Sequence, residues 1–177
     1  PGLPFADERR FTLQLLSSIL GGGMSSRLFQ QVREQRGLCY SIYSYGTCHD
    51  DTGYFGVYTA LGRETEGAAL ETVFSVIRDF AEHGVTEEEL SRAREQSKAN
   101  VVMGLESTQS RMSHAGRSLL FSGEILTPEQ IIAAYDSVTH EDVVALAQEI
   151  FRWDQVSLSA VGQVRTAEAY RALVLEA

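Results

Sequence analysis

The sequence is poor in lysine and cysteine and has no long apolar run. Lys98 is the only lysine among 15 basic residues, and 24 acidic residues bring the formal charge to −9. So few cations argue against an electrostatically driven nucleic-acid binder, which needs a basic face. No apolar run approaches the ~20 residues of a membrane-spanning helix. The scarcity of lysine indicates a bacterium with a GC-rich genome.

The two cysteines cannot form the disulfide framework of a small secreted domain. Cys39 and Cys48 fall on one predicted strand. They would lie about 30 Å apart on it, which is far beyond disulfide reach. We therefore expect two structural thiols in a reducing compartment, the bacterial cytoplasm.

The remaining composition is that of one globular domain. The chain has 177 residues, of which 44% are hydrophobic and 22% charged, enough to bury a real core. It begins with Pro1 rather than methionine, and no signal-peptide pattern follows. We expect a fragment of a longer gene product or a processed piece.

Apolar spacing predicts a helix over 10–36 that is interrupted by three consecutive glycines, Gly21, Gly22 and Gly23. Each glycine costs a helix roughly 1 kcal/mol relative to alanine, so a break or kink is expected there. Ser25 or Ser26 is a candidate cap for the restart. Gly37 ends the segment.

Alternating patterns predict an antiparallel hairpin with strands over 39–48 and 54–61, and a final strand over 156–161. The fold class is α+β, with a mostly antiparallel sheet packed on one side by several helices. Three strands are few for such a sheet. Either the sheet is completed from elsewhere, or a strand before Pro1 has been lost.

Helical spacing and capping signals predict the other elements. The predicted helices cover 66–82, 86–105, 109–121, two segments capped by Thr127 and Thr139, and 165–175.

No complete motif for a metal or a nucleophile is present. His140-Glu141 begins an H-E-x-x-H pattern, but Val144 stands where the second histidine belongs, and the inverse H-x-x-E-H pattern fails as well. Ser25 and Ser26 follow glycines, yet they match neither a nucleophile elbow nor a phosphate loop. We expect no metal site in this chain.

The strongest motif lies at 21–40. It reads Gly-Gly-Gly-Met-Ser-Ser-Arg-Leu-Phe and then Val-Arg-Glu-Gln-Arg-Gly-Leu-Cys-Tyr. A small-residue kink, S-x-L-F/Y and R-E-x-x-G-L-x-Y resemble the C-terminal domain of pitrilysin/insulinase-type zinc metallopeptidases, which include the mitochondrial processing peptidases. The resemblance covers almost the whole chain, because the hairpin, the helix over 66–82, the T-x-E-E-L helix and the T-P-x-x-I segment follow in the same order.

The resemblance implies a LuxS- and processing-peptidase-like fold and one half of a two-domain clamshell. The other half, or a partner subunit, would carry the zinc, whereas this half would be metal-free and inactive alone. Matched residue by residue, Arg33 and Tyr40 would reach across the chamber to the peptide substrate. Family domains also begin with a strand that would precede Pro1.

The resemblance leaves several roles open. Gly21, Gly22 and Gly23 form either a structural kink, the leading interpretation, or a substrate contact. Tyr43 and Tyr45 share one sheet face, as core packing or as chamber wall.

Three functions remain in competition. The chain is the C-terminal half of a bacterial zinc endopeptidase, a non-catalytic subunit or scaffold of a heterodimeric relative, or an unrelated α+β binding module. A phenol and a guanidinium are fixed donors suited to the negative charge that peptide hydrolysis builds on the carbonyl oxygen. Retention of Arg33 and Tyr40 therefore favours a substrate-facing role.

Overall fold

An antiparallel hairpin forms the sheet of the structure, a computed structural model that describes residues 1–176. Strands β1 (Cys39–Cys48) and β2 (Gly53–Leu61) pair with Tyr43 opposite Tyr58. The register is interrupted once, between Cys39 and Ser41, where Tyr40 is the extra residue of a β-bulge. The predicted hairpin and the α+β class are confirmed.

The helices follow the sequence prediction closely. In chain order they are α1 (Arg10–Gly21), a π-helix (Phe29–Glu34), α2 (Glu66–His83), α3 (Glu87–Gly104), α4 (Thr108–Ser122), α5 (Pro128–Ser137), α6 (His140–Ile150), a 3-10 turn (Trp153–Gln155) and α7 (Ala167–Glu176). Thr86, Thr127 and Thr139 each form a capping box with the residue three positions on. These signals are local, which is why the sequence reveals them.

Helix α1 lies at the centre of the core. Leu15, Leu16 and Leu20 are fully buried, because α1 packs against β1 on one side and against α3, α5 and α6 on the other. The helical layer covers the sheet face of Ile42 and Ser44, both buried. The opposite face of the hairpin carries exposed tyrosines, so the helices lie on one side of the sheet, as predicted.

The interruption after α1 is where the glycines predict it. The turn over 22–26 separates α1 from the π-helix. Ser26, expected as a possible cap, instead donates its hydroxyl to the Gly23 carbonyl at 2.6 Å. It closes the turn, and no side chain caps the π-helix that follows.

Arg27 fastens the restarted chain to the helical layer. Its guanidinium donates to both carboxylate oxygens of Glu89 at 2.7 and 2.8 Å and to the Gly84 carbonyl at 2.8 Å. It also pairs with Asp79 at 3.2 Å and lies 5.0 Å from the centroid of the Phe80 ring. The side chains of Arg27 and Glu89 are only 15% and 17% exposed. Removal of one partner from such a shielded ion pair is strongly destabilising, because it leaves the other charge buried without a counter-ion.

The final strand predicted over 156–161 is wrong for the structure, which has no strand there. Val156 is 40% exposed and Val161 fully exposed. Together with the outer edge of β2, the segment lines a cleft of about 1120 Å³. Alternation identifies a chain that suits a sheet, but a strand also needs a partner within hydrogen-bonding distance. Among residues 1–176, no strand is paired with this segment through hydrogen bonds.

Within residues 1–176, no helix is both long enough and apolar enough to cross a bilayer.

Loss of the Arg27 ion pairs should destabilise the chain and change its acid response. Burial alone would raise the pKa of Glu89, but hydrogen bonds from Arg27 and from the Thr86 backbone lower it from the ordinary 4.5 to about 2. We expect Arg27→Met to cost about 3 kcal/mol at pH 7. The lowered pKa contributes stability above pH 4.5 that is lost as the pH falls toward 2, so the gap between wild type and variant should narrow over that interval. Urea unfolding at several pH values measures both effects.

Arg92→Met is the matched control, because the Arg92–Glu88 pair is solvent-exposed at 3.4 Å. It should change stability by under about 0.5 kcal/mol. Equal effects of the two variants would show that Arg27 is not the anchor.

Candidate functional site

The candidate site lies where the π-helix turns into β1. The Gln35 N–H donates to the Gln30 carbonyl at 2.9 Å, the five-residue closure of a π-turn. Gly37, at φ 61°, ends the helix in the left-handed region that glycine adopts readily. The Leu38 N–H then returns to the Val32 carbonyl at 2.9 Å. The chain therefore enters β1 directly beside the last turn of the π-helix.

Arg33 stands on that last turn with its donors unengaged. Its guanidinium carbon lies 4.8 Å from the centroid of the Phe29 ring. The ion pair with Glu34 is long, 3.9 Å, and the Arg33 side chain is 41% exposed. Among the described residues, no acceptor lies within hydrogen-bond distance of its guanidinium. Arg33 is thus oriented by an aromatic face and free to donate to a ligand.

Tyr40 lies across the turn from Arg33, near the start of β1. It is the bulged residue of the strand and is 84% exposed. A bulge redirects a side chain from the regular alternation of the strand, and here it turns Tyr40 away from the core. Arg33 and Tyr40, the two residues singled out by the motif, therefore flank the corner where the π-helix turns into β1, and both are accessible to solvent.

The thiol of Cys39 adjoins this corner. Burial raises its pKa above the ordinary value, although the Thr59 hydroxyl and the Arg33 charge act in the opposite direction. Burial likewise raises the pKa of Cys48 at the other end of β1. Both cysteines are free thiols, and a raised pKa makes each a poor nucleophile at neutral pH.

The three glycines differ in their surroundings. A Cβ on Gly21 would lie 2.4 Å from the Ser44 amide nitrogen, and one on Gly22 would lie 2.6 Å from the Ser18 Cα. No atom lies within 4 Å of a Cβ built on Gly23. Gly21 and Gly22 therefore have structural reasons to be glycine, whereas Gly23 leaves open space beside the turn.

An exposed tyrosine cluster covers the sheet face opposite the helices. Tyr43 and Tyr58 stack with ring centroids 5.0 Å apart, and the rings of Tyr45 and Tyr54 meet edge-on at 6.0 Å. Tyr45 lies against Gly56, where a Cβ would be 2.8 Å from the ring. The four side chains are 38–47% exposed. Core packing of Tyr43 and Tyr45 is therefore wrong, and a surface wall stays the prediction for them.

The histidines do not converge. His140 Nε2 lies 2.6 Å from the Val85 carbonyl and His114 Nε2 lies 3.1 Å from the Leu126 carbonyl, while His83 pairs with Asp79 at 3.1 Å. Over 1–176, no three His, Cys, Asp or Glu side chains are grouped to hold a metal ion. The described residues thus offer no fit for zinc.

The sequence patterns did not single out Phe29 or the π-helix. Phe29 stands in the motif but reads as an ordinary apolar helix residue. Its spacing of four from Arg33 is the available signal, because residues four apart share a helix face.

The chain is similar in sequence to a family of peptidase domains and to several bacterial proteins. A sequence model of the family described as Peptidase M16 inactive domain matches residues 1–97. An uncharacterized zinc protease of Streptomyces coelicolor is 42% identical over 171 residues, 97% of this chain and 37% of that protein. Another, of Bacillus subtilis, is 39% identical over 153 residues, 86% of this chain and 37% of that protein. The chain thus spans a little over a third of the length of the curated relatives it matches.

Solved structures share the fold. A peptidase M16 inactive domain of Pseudomonas fluorescens has a TM-score of 0.75 at 24% identity, covering 85% of this chain and 36% of that one. A chain of complex III2 of Candida albicans has a TM-score of 0.74 at 16% identity, covering 84% and 37%. At such identities the likeness concerns the fold alone.

Alanine substitution should separate the structural from the accessible glycines. Gly21→Ala forces a methyl group into the Ser44 backbone, next to the bond in which the Ser44 hydroxyl donates to the Ser17 carbonyl at 2.9 Å. We expect a loss of about 1–3 kcal/mol of unfolding free energy, measured by urea denaturation. Gly23→Ala is the control and should change stability little. A tolerated Gly21→Ala would contradict the kink interpretation.

Proposed function

The chain belongs to the peptidase M16 family as its inactive, C-terminal domain, and we propose that it forms the substrate-binding half of a zinc metalloendopeptidase. The observation that carries the proposal is the corner where the unengaged guanidinium of Arg33 and the exposed hydroxyl of Tyr40 flank one turn. The names of the relatives as zinc proteases support the reaction class.

Both side chains suit the electrostatics of peptide hydrolysis. Attack by water on a peptide carbonyl places negative charge on its oxygen, and fixed donors aimed at that oxygen lower the barrier. Arg33 supplies a permanent positive charge with several N–H groups, and Tyr40 supplies one O–H. Their proposed work is to bind and orient the peptide carbonyl, with the proton remaining on each donor.

The zinc belongs, in this proposal, to the zinc-bearing half of the longer protein or to a partner subunit. When bound there, it would supply an activated water and polarise the carbonyl. The present chain, on this proposal, supplies donors to the peptide rather than ligands to the zinc. Extended peptides would be the substrates. Two free thiols in Cys39 and Cys48 support a cytoplasmic location.

We also propose that the cleft beside β2 is filled by a strand that directly precedes Pro1 in the longer protein. Pro1 lines the cleft, and the Gly2 N–H already donates to the Gly53 carbonyl at 3.0 Å. A Cβ on Gly2 would be 2.6 Å from the Tyr54 nitrogen, so the two backbones approach as closely as sheet neighbours. Continued backwards from Pro1, the chain would run antiparallel to β2 and beside 156–161. The proposed domain is therefore 1–177 plus this strand.

Substitution of the two donors tests the proposed function in the full-length protein. We expect Arg33→Ala and Tyr40→Phe each to lower kcat about 100- to 1000-fold, with zinc content unchanged, because each removes a donor and no ligand. Cleavage of a quenched fluorogenic peptide gives the rates, and metal analysis gives the zinc content.

Arg92→Ala is the matched control, because Arg92 is exposed on another helix, α3. It should keep the wild-type rate. Wild-type kcat in both Arg33→Ala and Tyr40→Phe would overturn the proposed roles. A full-length protein without any chelator-sensitive turnover would favour the non-catalytic subunit.

Extension of the chain by about 15 residues of its own upstream sequence tests the proposed strand, since a typical strand has ~5–6 residues. We expect slower amide exchange along the outer edge of β2 and over 156–161, because both would gain backbone partners. Amides already bonded between β1 and β2 are the internal control. Unchanged exchange over 156–161 would contradict the proposal.

A further inference from the structure

Phe29 and Arg33 form a pair of partly buried side chains on the π-helix. The guanidinium carbon lies 4.8 Å from the ring centroid, within the ~6 Å range of a cation–π contact. The intervening residue Val32 and the preceding Leu28 are fully buried, which holds this helical turn against the core. The ring is therefore presented from a fixed backbone.

We propose that Phe29 is a positioning residue that holds the Arg33 guanidinium in the orientation for binding the peptide carbonyl. This inference rests on the proposed function of Arg33. Phe29 itself touches no reacting atom. Its effect is to limit the rotamers of a long side chain whose free donors would otherwise sample many directions.

Arg27, a second arginine between α1 and β1, has a different set of contacts. Arg27 also faces an aromatic ring, that of Phe80 at 5.0 Å. Its N–H groups, however, are engaged by Glu89, Asp79 and the Gly84 carbonyl. An arginine fixed by carboxylates has no donors left for a ligand. A ring face restrains the guanidinium without accepting its in-plane N–H bonds, so Arg33 keeps them.

Glu34 does not supply the restraint. Its carboxylate lies 3.9 Å from Arg33 Nε and is 53% exposed. At that distance the two groups attract each other weakly through solvent. The ring of Phe29 is thus the described contact that can orient the guanidinium.

Removal of the ring in the full-length protein tests the inference. We expect Phe29→Leu to lower kcat for a quenched fluorogenic peptide roughly 3- to 30-fold, the range of a cation–π contact, with a smaller change in KM. Phe29→Met, which also keeps apolar bulk, should behave alike. Phe29→Tyr keeps the ring face and should restore kcat to within about 2-fold of wild type.

A double-mutant cycle distinguishes positioning from general destabilisation. In an Arg33→Ala background, Phe29→Leu should cause no further loss, because there is no guanidinium left to hold. Phe11→Leu is the matched control, since it removes the ring that lies 4.5 Å from Arg10. It should leave kcat unchanged, and thermal unfolding of both Leu variants should be compared.

The outcomes separate this inference from the proposed function. Wild-type kcat in Phe29→Leu, or an equal loss in the Arg33→Ala background, overturns the role of Phe29 while Arg33→Ala remains impaired. Wild-type kcat in Arg33→Ala itself overturns the function of Arg33.

Discussion

The ion pairs of Arg27 fix the segment on which the candidate site depends. After the glycine turn, the chain must cross from α1 to β1 in a short stretch whose π-helix has no side-chain cap. Arg27 attaches the beginning of this stretch to Glu89 and Asp79 on two other helices, and the Leu38 N–H attaches its end to Val32. Between these two attachments stand Phe29 and Arg33. The backbone that carries Arg33 is therefore held by contacts of other residues.

The residues of the motif have separate structural roles in this segment. Small residues at the turn let α1 end against Ser44, one arginine anchors the restart, and the π-turn leaves the second arginine at the edge. The bulge at Tyr40 then turns a second donor outward from the first residues of β1. None of these features requires a ligand to be present, so the corner is preorganised in the sense that lowers the cost of binding.

Most of the fold is predictable from the sequence because its signals are local. Capping boxes at Thr86, Thr127 and Thr139, glycine stops at Gly84 and Gly123, and the alternation of β1 and β2 all act within a few residues. The strand over 156–161 could not be predicted correctly, since its pairing depends on a neighbour far away in sequence. Periodicity records which side of a segment is apolar, and it does not record whether a partner is present.

The candidate site could be predicted only in part, because it too depends on tertiary contacts. The positions of Arg33 and Tyr40 were found through the motif, because composition and spacing treat them as a helix-end cation and a strand aromatic. The spacing of four permits the contact of Phe29 with Arg33, but no local signal reveals the π-turn that carries both residues. The difference between Arg27 and Arg33 depends on which carboxylates the tertiary structure brings near, so two arginines six residues apart look alike until the chain is folded.

The exposed face of the sheet forms the surface next to the candidate site. Helices pack on one side of the hairpin, whereas the other side presents Tyr43, Tyr45, Tyr54 and Tyr58 to solvent. Tyrosine suits such a face, since its ring contributes apolar area and its hydroxyl stays hydrated. The corner of Arg33 and Tyr40 adjoins the end of this hairpin. On the proposed function, a peptide held between this surface and an opposing zinc-bearing half would meet aromatic rings along the strands and charged or hydroxyl donors at their end. The proposed contribution of this domain to peptide hydrolysis is then to orient the carbonyl whose oxygen gains the charge, while the zinc is held elsewhere.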